Sequence, residues 1–324
     1  MADTYTYDGL TDRDKQVALT ELNEDPKQVN AHIESFRRWV KSMPHLNCPT
    51  DSRFLLMFLR VAKFDHAKAQ KRLDNFCTVR SSARGHPEYF QFPDINDAVF
   101  EKFFQTKQMI PLGRTVDGET LFFGVSNLWN PKEIPIKKLM QVMFMSLEVQ
   151  LQNQYLQIYG MKAFMDMHGC GKSFMEAVSD PKVMKAMTRV WQDCYPIRFK
   201  GQVIYREPGW YSVFYNIMEF FLNEKHRKRV FRIKEDIQKG FEKIPGLEAL
   251  LPEEYGGKGP KMDEAIDKWA KEVRDFYTKG SPWANISVDE SKRPVETLKY
   301  FEQYADYTGE SLGTKGTFTK FDAF

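Results

Sequence analysis

The sequence predicts an α/β protein in which an N-terminal helical bundle precedes a mixed, largely parallel sheet. Up to about residue 90, apolar side chains recur at helical spacing. From about residue 100, short apolar strands alternate with helices, as in parallel sheets built from crossover units. The chain has 324 residues, of which 42% are hydrophobic. A chain of this size can bury a full core and can form two domains.

The N-terminal part is predicted to contain several amphipathic helices. One helical face carries Val29, Ile33, Phe36 and Val40. Asp51 and Asp65 are suited to cap the two helices that follow, because a carboxylate accepts hydrogen bonds from the free amides of a first turn. Gly85-His86-Pro87 is expected to end the bundle.

The central part predicts five strands and several helices. The predicted strands are residues 109–112, 120–125, 161–167, 202–205 and 230–233. The predicted helices are residues 136–158, 173–194 with a break near Asp180-Pro181, 210–222, 235–243 and one capped by Asp263. We therefore divide the chain into a helical domain (1–90), a sheet domain (91–258) and a C-terminal helix with an extended arm or tail (259–324).

Composition excludes several classes of protein. The net charge of +3 is too small for a general nucleic-acid binder, although local basic patches occur. The four cysteines have no metal-ligand spacing and predict free thiols in a reducing compartment. The first ten residues do not resemble a signal peptide, and no apolar run reaches the roughly 20 residues that span a bilayer. We expect a cytoplasmic protein with, at most, peripheral membrane contact.

No catalytic or metal site is evident in the sequence. Gly169 to Ser173 resembles part of a phosphate loop, but Asp166 stands where such a loop needs its first glycine. His168 and Cys170 lie on one predicted turn and are not expected to face each other. The six histidines show no metal spacing. We therefore predict no enzyme, no metal and no cofactor.

The segment 210–222 is predicted to be a helix with one strongly apolar face. Its apolar positions include Trp210, Val213, Phe214, Ile217, Met218 and Phe221. Two interpretations fit this pattern: a surface helix packed on a core, or a movable lid over an apolar cavity. Basic residues flank it on both sides, at 198–200 and 225–229, which is typical of a solvated face or of contact with anionic lipid. Nine of the fifteen methionines lie between Met140 and Met187, and flexible thioethers suit either an ordinary core or a pocket for a pliable ligand.

Several motifs, in order along residues 10–258, identify a family resemblance. Residues 52–65 (SRFLLMFLRVAKFD) resemble the N-terminal signature of CRAL-TRIO (Sec14-like) lipid-transfer proteins, and residues 164–169 (FMDMHG) resemble their central strand and turn. Further matches are Tyr195-Pro196, Glu207-Pro208, the helix end at 220–222, and residues 251–257 (LPEEYGG). The tail motif 316–321 (GTFTKF) is similar to invertebrate members related to α-tocopherol transfer protein.

The resemblance implies a hydrophobic pocket floored by the sheet and closed by a gate helix, with one lipophile per molecule. Pocket-lining positions would be Met140, Met143, Leu147, Met161, Met165, Met187, Val190 and Phe199, with Phe214, Ile217, Met218 and Phe221 on the gate. Phosphoinositide-binding positions of the tocopherol-transfer branch fall on Arg60, Arg198, Lys200, Lys225 and Arg229. Arg60 has the alternative role of joining the two domains. Met143 and Leu147 replace serines of the tocopherol carrier, which removes hydroxyl groups that could bind a chromanol ring.

These expectations describe a soluble intracellular carrier that delivers a tocopherol, retinoid, carotenoid or other lipophile to phosphoinositide-containing membranes. The alternative is a phosphoinositide-sensing scaffold that carries no cargo. A lipid enzyme is the weakest hypothesis, because no nucleophile, base or metal constellation is visible. The identity of the lipophile and the oligomeric state stay open.

Overall fold

A computed structural model of the chain describes residues 3–302. Its N-terminal part contains four helices: α1 (Asp12–Leu22), α2 (Val29–Ser42), α3 (Ser52–Val61) and α4 (His66–Ser81). The predicted caps are confirmed, since Asp51 accepts from the amide of Phe54 and Asp65 from that of Lys68. Helix α1 was not among the predicted elements; it begins with a capping box formed by Thr11 and Asp14.

A five-stranded sheet follows, and it confirms the α/β prediction. Its strands are β2 (Ile110–Arg114), β3 (Thr120–Val125), β4 (Met161–Asp166), β5 (Phe199–Tyr205) and β6 (Val230–Arg232), in the spatial order 2-3-4-5-6. β2 is antiparallel to β3, and the other neighbours are parallel. The carboxyl ends of β3 to β6 therefore lie at one edge of the sheet, which is the usual place for a site in such folds.

Helices cover the sheet and continue beyond it. They are α5 (Ala98–Gln105), α6 (Ile136–Leu151), α7 (Gln154–Tyr159), α8 (Lys172–Val178), α9 (Pro181–Arg189), α10 (Tyr211–Phe221), α11 (Glu224–Arg227), α12 (Ile237–Lys243), α13 (Leu247–Leu250), α14 (Met262–Tyr277) and α15 (Val295–Glu302). Among the described helices, none is long and apolar enough to cross a membrane.

Three expectations about helices need correction. The helix predicted over 136–158 is two helices, because Asn153 caps a second one by accepting from the amide of Tyr155. Asp263 lies in the first turn of α14 and does not cap it, since the N-cap is Lys261. The stretch expected to be an extended arm begins with α15. The tail motif 316–321 lies outside the described residues.

The C-terminal segment is attached to the N-terminal helices and to β1 (Leu46–Asn47). Its strand β7 (Ser287–Val288) pairs with β1. The Arg293 guanidinium donates to Asp74 at 2.7 Å, and Asp74 also contacts His45 at 2.7 Å. All three side chains are buried. Buried charges persist only where they are paired, so this network fixes the segment on α4.

Candidate functional site

Helix α10 is an apolar helix at the molecular surface. Tyr211 is buried, but Phe214, Ile217, Met218 and Phe221 are only half-buried, and Val213 is 49% exposed. Phe214 packs on a small cluster that includes Met167, Cys170 and Ile204. A helix with this many large apolar side chains is usually buried in a core. Its position near the surface is typical of a helix whose apolar face contacts a second molecule.

Polar contacts anchor the N-terminal end of α10. The Trp210 indole N–H donates to the carbonyl of Cys170 at 2.9 Å. Arg232 makes two hydrogen bonds of 2.6 Å to Glu207, which precedes the helix, and a third to Ser212 within it. Bidentate pairs of this kind are both strong and directional. This end of the helix is therefore tied to the strand edge.

The side chain of Gln192 links the C-terminal end of α10 to the neighbouring element. Gln192 lies in a turn of π-helix, Val190–Cys194, that continues α9. Its amide nitrogen donates to the carbonyl of Phe221 at 2.9 Å, and its amide oxygen accepts from the N–H of Asn223 at 3.0 Å. Turns of π-helix are rare and occur often at functional positions. Gln192 was not among the predicted site residues, since a lone glutamine in the sequence does not indicate a functional role.

The predicted pocket residues fall into a buried and a half-buried group. Buried members are Met143, Leu147, Met161 and Val190. Half-buried members are Met140, Met165, Met187, Phe199 and the four residues of α10. Met161, Ala163 and Met165 alternate along β4 and thus point to the same face of the sheet, where Met165 packs with Phe214 around Ile204. A cavity between this face and α10 stays a prediction.

Two cavities stand out within residues 3–302, and both lie elsewhere. One, of about 730 Å³, is lined by residues of α4, the connection after it, α6 and the segment after α14. Arg80 lies in it, paired with the buried Glu148 and about 5.0 Å from the ring centres of Phe76 and Phe90. The other, of about 360 Å³, lies beside α1 and includes Arg114.

The structure brings four of the predicted phosphoinositide residues together. Arg198 and Lys200, at the start of β5, both contact the carboxylate of Glu21, at 2.7 and 3.0 Å. Arg229 donates to the carbonyl of Phe199, next to them. Burial, then repulsion from Arg229 and Arg198, lowers the pKa of Lys225. These four cations, which we call the basic cluster, lie at the end of α11 and the adjacent strand starts, but their role in headgroup binding stays a prediction.

Neighbours of the basic cluster add to its field. Lys63 and Arg72, from the helical domain, also lower the pKa of Lys225. Lys63 is exposed and has a left-handed backbone with φ of 54°. His226 stacks on Phe199 at 5.5 Å, and burial followed by repulsion from Lys225 and Arg229 lowers its pKa to about 4. His226 is therefore neutral at physiological pH, so the charge of the cluster comes from lysine and arginine alone.

Arg60 lies apart from the basic cluster. Its side chain is fully buried and donates twice to Glu24 at 2.8 Å, once to Gln157 at 2.7 Å and once to Tyr5 at 2.8 Å. Gln157 belongs to α7, in the part of the chain predicted to form the sheet domain, so the contacts of Arg60 join the two predicted domains. This placement favours the structural role, because no surface of the side chain is accessible to a headgroup.

The motifs that resemble catalytic or nucleotide sites have structural roles here. Asp166 accepts from Arg206 and from Tyr255 at 2.8 Å, and the amide of His168 also donates to it. Burial, then the Asp166 charge, raises the pKa of the Cys170 thiol to about 12, so the thiol is a poor nucleophile. In the described part of the chain, no group of three histidine, cysteine or carboxylate side chains is arranged to hold a metal.

Comparison with known proteins gives two matches to family models. The model described as CRAL/TRIO domain matches residues 104–257. The model described as Pinta-like, UBA domain matches residues 25–100. The two matched ranges are consecutive in the chain and do not overlap.

Curated relatives match over most of the chain. Clavesin-2 of Homo sapiens is 26% identical over 310 residues, which cover 91% of this chain and 88% of the relative. The human protein named Alpha-tocopherol transfer protein-like is 28% identical over 250 residues, which cover 76% of this chain and 71% of the relative. Among solved structures, the one titled "Crystal structure of Sfh5" matches 81% of this chain and 92% of its own, with 13% identity and a TM-score of 0.42.

Proposed function

Because this chain belongs to the CRAL-TRIO family, we propose that it binds one hydrophobic small molecule and transfers it to membranes that contain phosphoinositide. The family suggests lipophile binding and transfer. The proposed chemistry is partition, in which no bond is made or broken. The cargo class, the phosphoinositide and the peripheral membrane contact are all parts of the proposal.

The observation that carries the proposal is the half-buried apolar helix α10 beside the basic cluster. An apolar helix lowers its free energy when it docks on acyl chains, and cations nearby contribute about 1 kcal/mol each toward an anionic surface. The Gln192 contacts connect the C-terminal end of α10 to the π-helical turn that precedes β5. Arg198 immediately precedes β5, and Lys200 is its second residue. A headgroup bound at the basic cluster would therefore lie next to the C-terminal end of α10, the helix that has to move.

Burial in the protein is strongly favourable for the cargo relative to water but only weakly favourable relative to a membrane. Each buried CH₂ group contributes about 0.8 kcal/mol relative to water, but far less relative to a bilayer. Release therefore requires a change that favours the open state, and the anionic surface supplies it through differential binding. On the predicted pocket side, Met143 and Leu147 offer no hydroxyl, which favours a cargo that is apolar along this wall, such as a retinoid, a carotenoid or another lipophile.

Two measurements test the proposal. The first is solvent extraction with mass spectrometry and an absorption spectrum of the purified protein after exposure to a lipid extract, where we expect one lipophile per chain. Retained phosphoinositide binding without any lipophile would instead identify a scaffold.

The second measurement is transfer of bound lipophile to vesicles. Replacing Arg198, Lys200 and Arg229 by glutamine should slow transfer to phosphoinositide vesicles by about tenfold or more, while lipophile affinity changes little. A matched control replaces three exposed lysines on or beside α14: Lys261, Lys268 and Lys279. Equal transfer rates for both triple variants and the unmodified protein would refute the charge-driven release, and thermal unfolding would verify that each variant is folded.

A further inference from the structure

Glu21 is a carboxylate placed where an anionic ligand of the basic cluster would bind. It accepts from Arg198 at 2.7 Å and from Lys200 at 3.0 Å. No signal in the sequence distinguishes it, because it belongs to α1 and lies far from both cations along the chain. A carboxylate and a phosphate accept the same donors from arginine and lysine. Glu21 thus makes the contacts that a phosphate group would make.

The position of Glu21 within α1 is unfavourable for a negative charge. It lies in the last turn of the helix, where the exposed carbonyls create a partial negative charge and where α1 carries no basic residue. Burial would raise the pKa of Glu21, but hydrogen bonds from Arg198 and Lys200 outweigh burial and lower it. The two cations therefore offset the placement, and the carboxylate is charged at neutral pH.

Exposure shows which partner of the contact can leave. The side chain of Glu21 is 46% exposed, while those of Arg198 and Lys200 are 10% and 23% exposed. Arg198 also donates to the carbonyl of Ile158, which holds it in place without Glu21. Arg198 is therefore fixed in the protein body and Lys200 is mostly buried, whereas the more exposed carboxylate can turn into solvent at little cost.

We propose that Glu21 is an internal competitor, which occupies the phosphate-binding position of the basic cluster until a phosphomonoester group, as carried by phosphoinositides and soluble inositol phosphates, displaces it. This inference rests on the proposed membrane-release step and adds its regulation. In the absence of such a phosphomonoester group, the Glu21 contact neutralises part of the cluster and keeps α1 on the start of β5. Weakly charged membranes then fail to displace it, so the contact sets a threshold for membrane binding.

The test compares Glu21→Gln, which removes the charge and keeps the shape, with Glu272→Gln, an exposed glutamate on α14 that changes net charge equally. Binding is measured to phosphatidylcholine vesicles with phosphatidylinositol bisphosphate, to phosphatidylserine vesicles of equal surface charge, and to soluble inositol trisphosphate. We expect Glu21→Gln to bind the phosphoinositide vesicles roughly fivefold more tightly, the effect of about one surface ion pair. Glu272→Gln should bind like the unmodified protein.

The three probes distinguish the possible outcomes. A similar gain with inositol trisphosphate supports phosphate recognition in general, and a gain with phosphoinositide vesicles alone supports a lipid headgroup as the ligand. No gain for Glu21→Gln, an equal gain for Glu272→Gln, or an equal gain on phosphatidylserine vesicles would overturn the inference. These results leave lipophile extraction and transfer intact, whereas a protein that carries no lipophile and binds none of the probes would refute the proposed function as well.

Discussion

Gln192 offers the sharpest test of how the C-terminal end of α10 is held against the protein body. Its amide makes two hydrogen bonds to the end of α10, at Phe221 and Asn223. Arg72 holds the π-helical turn that carries Gln192, because its guanidinium donates to the carbonyls of Gln192 and Tyr195 at 2.7 Å each. Replacing Gln192 by alanine removes the side-chain link to α10 and leaves the backbone carbonyl that Arg72 binds.

The expected magnitude follows from the two lost hydrogen bonds. Each contributes a net 0.5 to 1.5 kcal/mol, and the lower part of this range applies because Gln192 is half-buried and water can replace its amide. The closed state of α10 should therefore lose about 1 to 2 kcal/mol relative to the open state, which is a factor of about 5 to 30 in the equilibrium.

Hydrogen exchange of the α10 amides measures this opening directly. We expect exchange in Gln192→Ala to be faster by the same factor over residues 211–221, with unchanged exchange in β3 and β4. Gln238→Ala, an exposed glutamine on α12, is the control. The rate of lipophile transfer should rise by a similar factor if opening of α10 is the rate-limiting step. Identical exchange of α10 in Gln192→Ala and the control would refute the prediction that Gln192 holds the C-terminal end of this helix in place.

Two further predictions follow from the placement of charged groups. Arg60→Ala should lower the free energy of unfolding by about 3 to 5 kcal/mol, because it leaves Glu24 buried without its partner; a loss below 1 kcal/mol in chemical denaturation would contradict a domain-joining role. His226 should titrate near pH 4 by NMR. Because the pKa of His226 is lower in the folded than in the unfolded state, its contribution to stability is complete above about pH 6.5 and is lost as the pH falls toward 4. An NMR titration midpoint near 6.5 would contradict the placement of His226 beside Lys225 and Arg229.

Much of the fold could be predicted from the sequence, because its helices and strands depend on local patterns. Strand and helix periodicity, together with the caps at Asp51 and Asp65, placed most elements of the helical domain and the sheet. The break at Asn153 was missed, because apolar residues continue on both sides of it and only the capping geometry distinguishes two helices from one. Helix α1 was missed because its apolar face is short and packs on α7, a partner that the sequence does not reveal.

For the candidate site, the sequence identified residue types and their order but not which charges meet. By itself it determined the family, the α/β architecture, the apolar helix and the basic residues beside it, because these depend on periodicity and on motifs within short segments. Only the tertiary structure decided that Arg60 is buried against Glu24 while Glu21 reaches Arg198 and Lys200. The physical reason is that electrostatic interactions depend on distance and burial in space, and folding brings α1 and β5 together from distant parts of the chain.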